Sequence, residues 1–310
     1  MQAKIVMTRM SGDTFEETKI ISFKFIKDAY TPYTYLTARI YAEESNYLSL
    51  CEISLYIGEH LVHHGLIDSL SAVTENGRKI ISLISRGFTS LLCQNQIEPG
   101  LISNISINDL MNSYYELPYV THEDNSELGY IYVKDNSTMW DGVVNLAYKY
   151  NQLYPYIQGT NCVRVTADED PPHFTYDDAQ LTESGLAYDF KRMISHFDMS
   201  DLNGDYGTYM LEDGVAVTRK IVRHKVFELD REFLQEPQEA LEYRAKYAKR
   251  GYFRYFCRYS GYNGEDLCDK ITFGISTAKR IGRIVVTGDS TGISTELSVY
   301  YDGFYAGGTV

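Results

Sequence analysis

The sequence predicts a mainly β fold with α+β insertions. Three observations carry that reading. Apolar and polar residues alternate through much of the first ninety residues, a second alternating, glycine-punctuated stretch runs from residue 252 onward, and only three segments show clear helical spacing.

Leu36, Ala38, Ile40 and Ala42 alternate against Tyr35, Thr37, Arg39 and Tyr41, the period of a half-buried strand. Cys51, Ile53, Leu55 and Ile57 alternate in the same way, and Gly58-Glu59 then turns the chain into His60–Ile67. Asn76-Gly77 is the strongest turn signal, because both residues tolerate the positive φ of a type I′ turn. It joins Asp68–Thr74 to Arg78–Ser85, so a second hairpin follows the first in an antiparallel meander.

From residue 96 the character changes, and 96–165 reads as a small α/β domain. Ser106 and Asp109 resemble an N-cap and its first-turn acid, with Ile107, Leu110, Met111 and Tyr114 at helical spacing and Pro118 beyond. A second helix starts at Ser137 or Thr138, and Thr138 with Asp141 forms a capping-box pattern ahead of the stripe Trp140, Val143, Val144, Ala147. Asp168–Pro172 reads as an exposed connector. Residues 184–197 fit a helix (Leu186, Phe190, Met193, Phe197) or a strand, and 214–229 read as strand. The clearest helix is 237–250. Pro237 suits its first position, Glu236 and Glu239 its first turn, Lys246, Lys249 and Arg250 its last, and Gly251 its C′ site. After it, Gly264, Gly282, Gly288 and Gly292 mark turns between strands. Gly65-Leu66-Ile67 with Gly77 echoes Gly282-Arg283-Ile284 with Gly292, which suggests two related β units at opposite ends of the chain.

Composition bounds the function. The chain has 310 residues, enough for about two or three domains. Its net charge of -13 argues against binding to nucleic-acid phosphates or anionic membrane surfaces, both of which need Lys and Arg. The first residues lack a signal-peptide core, and no apolar run reaches the roughly 18 residues of a membrane span, so synthesis in a cytosol without membrane insertion is expected. Five cysteines at 51, 93, 162, 257 and 268, with no C-x-x-C, read as free thiols rather than a disulfide framework or zinc site. The 28 Tyr against a single Trp suit half-buried strands or wet protein interfaces.

No segment supplies a coherent catalytic set. Gly288-Asp289-Ser290-Thr291-Gly292 matches G-x-S-x-G, but alternation follows it where a nucleophile elbow needs a helix, and no His occurs after His224. The segment reads as a hairpin turn. Asp201, Asn203, Asp205 and Glu212 fall at calcium-loop spacing, yet Tyr206 occupies the position that demands glycine. A solvated acidic loop is the default and calcium the alternative. His60, His63 and His64 cluster without an HExxH pattern, with His60 and His64 on one strand face and His63 on the other; hydrogen-bonded hairpin residues are expected rather than a metal site. The predicted catalytic, metal-ligating and cofactor-binding residues are therefore none.

One stretch resembles a known family. His60-Leu-Val-His-His-Gly65-Leu-Ile67, then Asn76-Gly77, Ile80–Ser85-Arg86-Gly87, Leu91-Leu92 and Glu98-Pro99-Gly100 look like the baseplate hub, or tail tube initiator, proteins of contractile phage tails and phage-derived bacteriocins, including the PBSX-like hubs. Pro237–Leu241 resembles the helix ahead of the family's last barrel, and Gly288–Val299 its closing hairpin; Tyr-rich 252–262 and Cys268–Lys279 have no clear counterpart. The resemblance implies two tail-tube-like antiparallel β-barrels plus the small α/β domain. These span 1–95 (with strands near 160–185 available to complete the barrel), 96–165, and 166–310 with helix 237–250. It implies a non-enzymatic homotrimer joining a threefold central spike to a sixfold tail tube. Tube, spike and baseplate wedge proteins would be its partners, in a virion or bacteriocin particle assembled in the bacterial cytoplasm. No membrane, specific nucleic-acid binding or cofactor is implied. The rival readings are a tail-associated cell-wall hydrolase with paired carboxylates and a carbohydrate-binding adhesin.

Overall fold

The computed structural model describes residues 2–41, 47, 49–113, 116–229, 237–274 and 276–305. Ala42, Tyr114 and Glu236, named above, lie outside the described residues. The fold is mainly β, with few helices, and its centre is one curled eleven-stranded sheet.

Seven strands of that sheet come from the first ninety residues: β1 (Ala3–Arg9), β2 (Thr14–Glu17), β3 (Ile20–Asp28), β4 (Tyr35–Tyr41), β5 (Leu50–Ile57), β6 (His60–Glu75) and β7 (Arg78–Gly87). The turn residues act as the sequence predicts. Gly58 has φ 61° between β5 and β6, and Asn76 and Gly77 have φ 51° and 77° between β6 and β7. The two hairpins share β6, a single strand of 16 residues. A six-residue 3₁₀ helix, Phe88–Cys93, follows β7. The remaining strands are Leu181–Tyr188, Phe253–Ser260, Arg283–Asp289 and Gly292–Tyr300. The order across the sheet is Leu181–Tyr188, Phe253–Ser260, Gly292–Tyr300, Arg283–Asp289, β3, β4, β7, β6, β5, β1, β2, and every neighbouring pair is antiparallel.

This order contains a tandem repeat. The first four strands and the next four (β3, β4, β7, β6) lie in the sheet in the same sequence of first, second, fourth and third in chain order. Their registers match residue for residue. Each closing hairpin has a two-residue turn, between Glu75 and Arg78 in one and between Asp289 and Gly292 in the other. Counted from those turns, Arg39 pairs with Ser82 and Ser22 as Arg258 pairs with Glu296 and Glu183. The next pairs, Ile40 with Ile20 and Tyr259 with Leu181, skip one residue each, so a bulge occurs at the same place in both units. The echoing glycines do not correspond. In the turn-anchored alignment Gly282 matches Asp68, and Gly65 is required for another reason: a Cβ there would sit 2.1 Å from the Arg86 carbonyl oxygen. A Cβ on Gly282 would instead meet the Tyr300 ring at 2.4 Å.

A second layer covers one end of the sheet. Helix α1 (Ile107–Ser113) begins at Ser106, whose hydroxyl accepts from the Asp109 amide at 3.1 Å while the Asp109 carboxylate accepts from the Ser106 amide at 3.0 Å. Helix α2 (Met139–Asn151) has the predicted capping box between Thr138 and Asp141 and buries Trp140, Val143, Val144 and Ala147. These helices share a core with Ile131, Val163 and Val165, but also with Phe197, Met199, Phe304 and the Ala240–Leu241 edge of a later helix. The segment 96–165 therefore packs with C-terminal pieces rather than closing its core alone.

Two expectations for the C-terminal half need correction. Residues 214–229 are not one strand. Asp213 caps a short helix α3 (Gly214–Thr218) by accepting from the Ala216 amide at 2.9 Å, and a strand follows only at His224–Phe227. The cap overrides the β preference of Val215 and Val217. The connector Asp168–Pro172 is exposed only in part: Glu169, Asp170 and Pro172 are exposed, but Pro171 is buried and Asp168, whose carboxylate takes the Arg164 guanidinium at 2.7 Å, is half-buried. Residues 184–197 are strand at both ends, in Leu181–Tyr188 and His196–Met199, with a turn and no helix over 189–195 between them. Helix α4 (Pro237–Lys249) stands where the macrodipole pattern places it, and Gly251 follows with φ 65°.

Candidate functional site

The residues weighed for chemistry do not converge. His63 is fully buried, hydrogen-bonded to Thr34 Oγ1 at 2.8 Å through Nδ1 and to Ser85 Oγ at 2.8 Å through Nε2. Burial pushes its pKa down to about 3, with the neighbouring His64 acting in the same direction. His64 lies 3.4 Å from Glu52 and packs edge-on against Phe88 and Tyr119, while exposed His60 meets Tyr262. A bulge at Val62 breaks the alternation, so both Val62 and His63 point into the core. Among the described residues, no group of three or more His, Cys, Asp or Glu is arranged to hold a metal.

The Asp201 loop is tied to itself. The Asp201 carboxylate accepts from the Asn203 and Asp205 amides at 2.8 and 3.0 Å, an Asx-type turn. Glu212 lies on the strand Tyr209–Glu212 and faces His196 at 3.5 Å. The Gly288–Gly292 segment is a hairpin turn. Asp289 accepts from the Thr291 amide and hydroxyl at 2.7 and 2.6 Å, and those bonds hold its pKa below the ordinary carboxylate value.

The tyrosines missed by motif reasoning do most of their packing inside the chain. Tyr30, in the turn after β3, lies 5.4 Å from the Tyr300 ring, 5.6 Å from Tyr154, 6.0 Å from Tyr305 and 6.1 Å from Phe304. Its hydroxyl donates to Asp302, and Tyr300 donates to Asp28 at 2.6 Å. This aromatic knot joins the tandem sheet to the helical layer. A second buried network centres on Glu265, whose carboxylate accepts from the hydroxyls of Tyr176 and Tyr259. Beside it, buried Lys27 pairs with Asp266 and donates to the Gly159 carbonyl at 2.6 Å. Asp269 accepts from the Asp266 amide at 2.7 Å, and burial raises its pKa to about 7. Lys27, Glu265 and Asp266 line a small cleft of about 140 Å³ with His60 and Tyr262, and there each is already held by the partners named above.

A cleft of about 660 Å³ lies beside the strand Leu181–Tyr188 and is lined by Asp28, Asp189, Arg254, Arg283 and Tyr300, among others. Its carboxylates are engaged. Asp28 takes Tyr300 and, at 3.4 Å, Arg283, and Asp189 accepts the Lys191 amide at 3.0 Å. The strongest candidate for function is therefore a surface, the two ends of the tandem repeat. At one end Leu186 and Tyr188 are exposed on the outermost strand; at the other Val73 is exposed near the β6–β7 tip.

Comparison with solved structures identifies the fold. The tail protein from Neisseria meningitidis MC58 superposes with a TM-score of 0.71 over 99% of both chains at 15% identity. This is a phage tail protein fold. The 43 kDa tail protein of prophage MuSo2 from Shewanella oneidensis matches with a TM-score of 0.66 at 12% identity, covering 96% of this chain and 97% of that one. An Escherichia coli component of the type VI secretion system, itself structurally similar to the phage T4 tail proteins gp27 and gp5, matches with a TM-score of 0.54 at 8% identity over 93% of this chain and 75% of its own. No protein-family model matches the sequence, and no curated protein is similar to it at the sequence level.

Proposed function

We propose that this chain is the baseplate hub of a contractile phage tail or phage-derived bacteriocin: a homotrimeric, non-enzymatic adaptor that joins a threefold central spike to a sixfold tail tube. The observation that carries the reading is the tandem repeat of four-stranded units in one sheet. Two equivalent units per chain make six in a trimer, which is the symmetry change such an adaptor has to perform. The tail-protein fold over the whole chain supports it. The division proposed with it is a first tube-like unit in 1–95, a small α/β domain in 96–165 and a second tube-like unit in 166–310. The partners are the tail tube, spike and wedge proteins, in a tail baseplate assembled in the bacterial cytoplasm. With a charge of -13, an acidic lumen would repel passing DNA rather than grip it.

Light scattering with electron-microscopy class averages tests this. The expected particle is a trimeric ring with an open centre and a near-sixfold outline, alone or with the neighbouring spike protein. A chain that stays monomeric with the spike protein, or that cleaves cell walls or binds their sugars as a monomer, overturns it in favour of the hydrolase or adhesin.

A further inference from the structure

The cleft beside Leu181–Tyr188 is basic in an acidic protein. Acids outnumber bases 42 to 29 in the chain. In the cleft the balance is reversed: Lys191, Arg192, Arg250, Arg254 and Arg283 meet only two carboxylates, those of Asp28 and Asp189. The cations come from separate elements. Lys191 and Arg192 lie in the turn after the strand Leu181–Tyr188, Arg250 lies just beyond α4, and Arg254 and Arg283 lie on strands of the large sheet.

Most of that charge has no counter-ion. Asp28 and Glu296 share Arg283 at 3.4 and 3.7 Å. Arg250 lies over the Tyr247 ring at 3.5 Å and donates to the Tyr247 carbonyl, both uncharged partners, and its buried Nε has no hydrogen-bond partner. Among the described residues, Lys191, Arg192 and Arg254 make no ion pair. Lys191 and Arg192 are exposed, but Arg254 is half-buried. A guanidinium withdrawn from water without a counter-ion is costly. Elsewhere such cations are matched: Lys27 has Asp266, Arg86 has Asp68, and Arg164 has Glu123 and Asp168. Arg254 has the open cleft where they have a carboxylate. Burial pushes the pKa of the Tyr300 hydroxyl up, and Arg283 and Arg254 act against that rise, so both guanidiniums stand beside this lining residue. One wall is fixed by packing: Tyr188 stacks on Phe253 with ring centres 4.5 Å apart and planes 5° from parallel. Arg219, 5.5 Å from the Tyr188 ring centre, adds a further cation at that rim.

We propose that this cleft docks an acidic segment of a partner protein, whose Asp and Glu carboxylates take Arg254, Arg192 and Lys191. Guanidinium forks accept carboxylate and phosphate alike, and three features favour the carboxylates. The cations are spread along a cleft of about 660 Å³ rather than focused on one point. Helix α4 presents its C-terminal end here, the partly negative end, whereas compact phosphate sites use helix N-termini. The net charge of -13 repels a long polyphosphate chain more than a short acidic segment. The site belongs to the single chain and stands whether or not that chain forms a ring.

Fluorescence anisotropy of the full chain with fluorescein-labelled hexaglutamate tests the site, at physiological salt, where exposed charges beyond about 8 Å are screened. Hexaglutamine is the neutral probe, and inorganic tripolyphosphate and a short oligothymidylate are the competitors. The variants are Arg254→Gln and the exposed pair Lys191→Glu with Arg192→Glu. The control is Lys24→Glu with Lys79→Glu, exposed cations outside the cleft that give the same change in net charge as the loop pair. The expected result is saturable binding of hexaglutamate, at least tenfold weaker binding of hexaglutamine, and at least tenfold loss in each cleft variant. The control should stay within threefold of wild type. No saturable binding of hexaglutamate, or an equal loss in the control, overturns the site. Tighter binding of tripolyphosphate or oligothymidylate than of hexaglutamate overturns the acidic segment in favour of a phosphate ligand. Ring formation is not read in this assay, so either result leaves the hub reading where it stands.

Discussion

Acidification should weaken this fold through one buried imidazole. His63 is held neutral in the core by Thr34 and Ser85, and its pKa falls to about 3. In the unfolded chain the same imidazole titrates near 6.5. Because the folded pKa is depressed, the unfolded state binds the extra proton as pH falls through 6.5, and stability is lost progressively down to about pH 3. At about 1.4 kcal/mol per pH unit, moving from pH 7 to pH 5 costs about 2 kcal/mol from this residue alone. His63→Gln keeps an amide able to bond both hydroxyls and removes the titration. Urea unfolding of both proteins at pH 7 and pH 5, at one protomer concentration, gives a double difference in which the remaining histidines cancel. The expected value is about 2 kcal/mol, with wild type losing more. Equal pH dependence in the two proteins would refute the assignment of a neutral, buried His63.

Three further outcomes follow from the same packing. Asp269 titrates in the opposite sense: burial raises its pKa to about 7, so its contribution favours the folded state below about pH 4 and is lost as pH rises to 7. Asp269→Asn, which keeps an acceptor for the Asp266 amide, should flatten that fall in urea midpoint between pH 4 and pH 7, and an unchanged slope would count against it. Gly65→Ala places a methyl 2.1 Å from a backbone oxygen that cannot rotate away, so destabilisation of about 3 kcal/mol, the upper end for overpacking, is expected from its unfolding curve; a change under about 0.5 kcal/mol would contradict the close β6–β7 approach. Cys257, whose thiol burial pushes up to about 12, and Cys268, raised further by the same cause, should react with a thiol reagent at pH 8 only after unfolding. Labelling of either at the unfolded rate in native buffer would show that these sites open.

The legible parts of the fold were those governed by local rules. Asn76-Gly77, Gly58-Glu59 and the Thr138–Asp141 capping box each fix their own backbone, and each stands where the sequence places it. Residues 214–229 were misread because a five-residue helix set by the Asp213 cap lies inside a β-branched run, where alternation and propensity favour strand. By composition the tyrosines suit half-buried strands or wet interfaces, whereas Tyr30, Tyr154, Tyr300 and Tyr305 gather from three distant segments into one interior knot, a three-dimensional fact with no spacing signature. The candidate surface was half legible. Two related β ends could be suspected from the hairpins, but the glycines that suggested them are not equivalent to one another.

What the two units share is register, and register leaves almost no mark in residue identity. Equivalent positions carry Phe25 and Leu186, Ala38 and Cys257, Ile81 and Thr295, with Arg39 and Arg258 a rare identical pair. Sheet register is held by which face is apolar, by turn length and by the placement of a bulge. All three survive substitution of nearly every side chain, so a duplication can stay intact in the backbone after its sequence signal has gone. The differences between the units then become informative. One unit extends β6 backward to hold β5, β1 and β2; the other has a long segment, with α3 and α4, between its first two strands. A ring of identical units would carry those additions six times. A ring of three such chains carries each of them three times, around a sixfold wall. On the proposed reading, that asymmetry of additions on a symmetric sheet is how one chain meets a sixfold tube on one side and a threefold spike on the other.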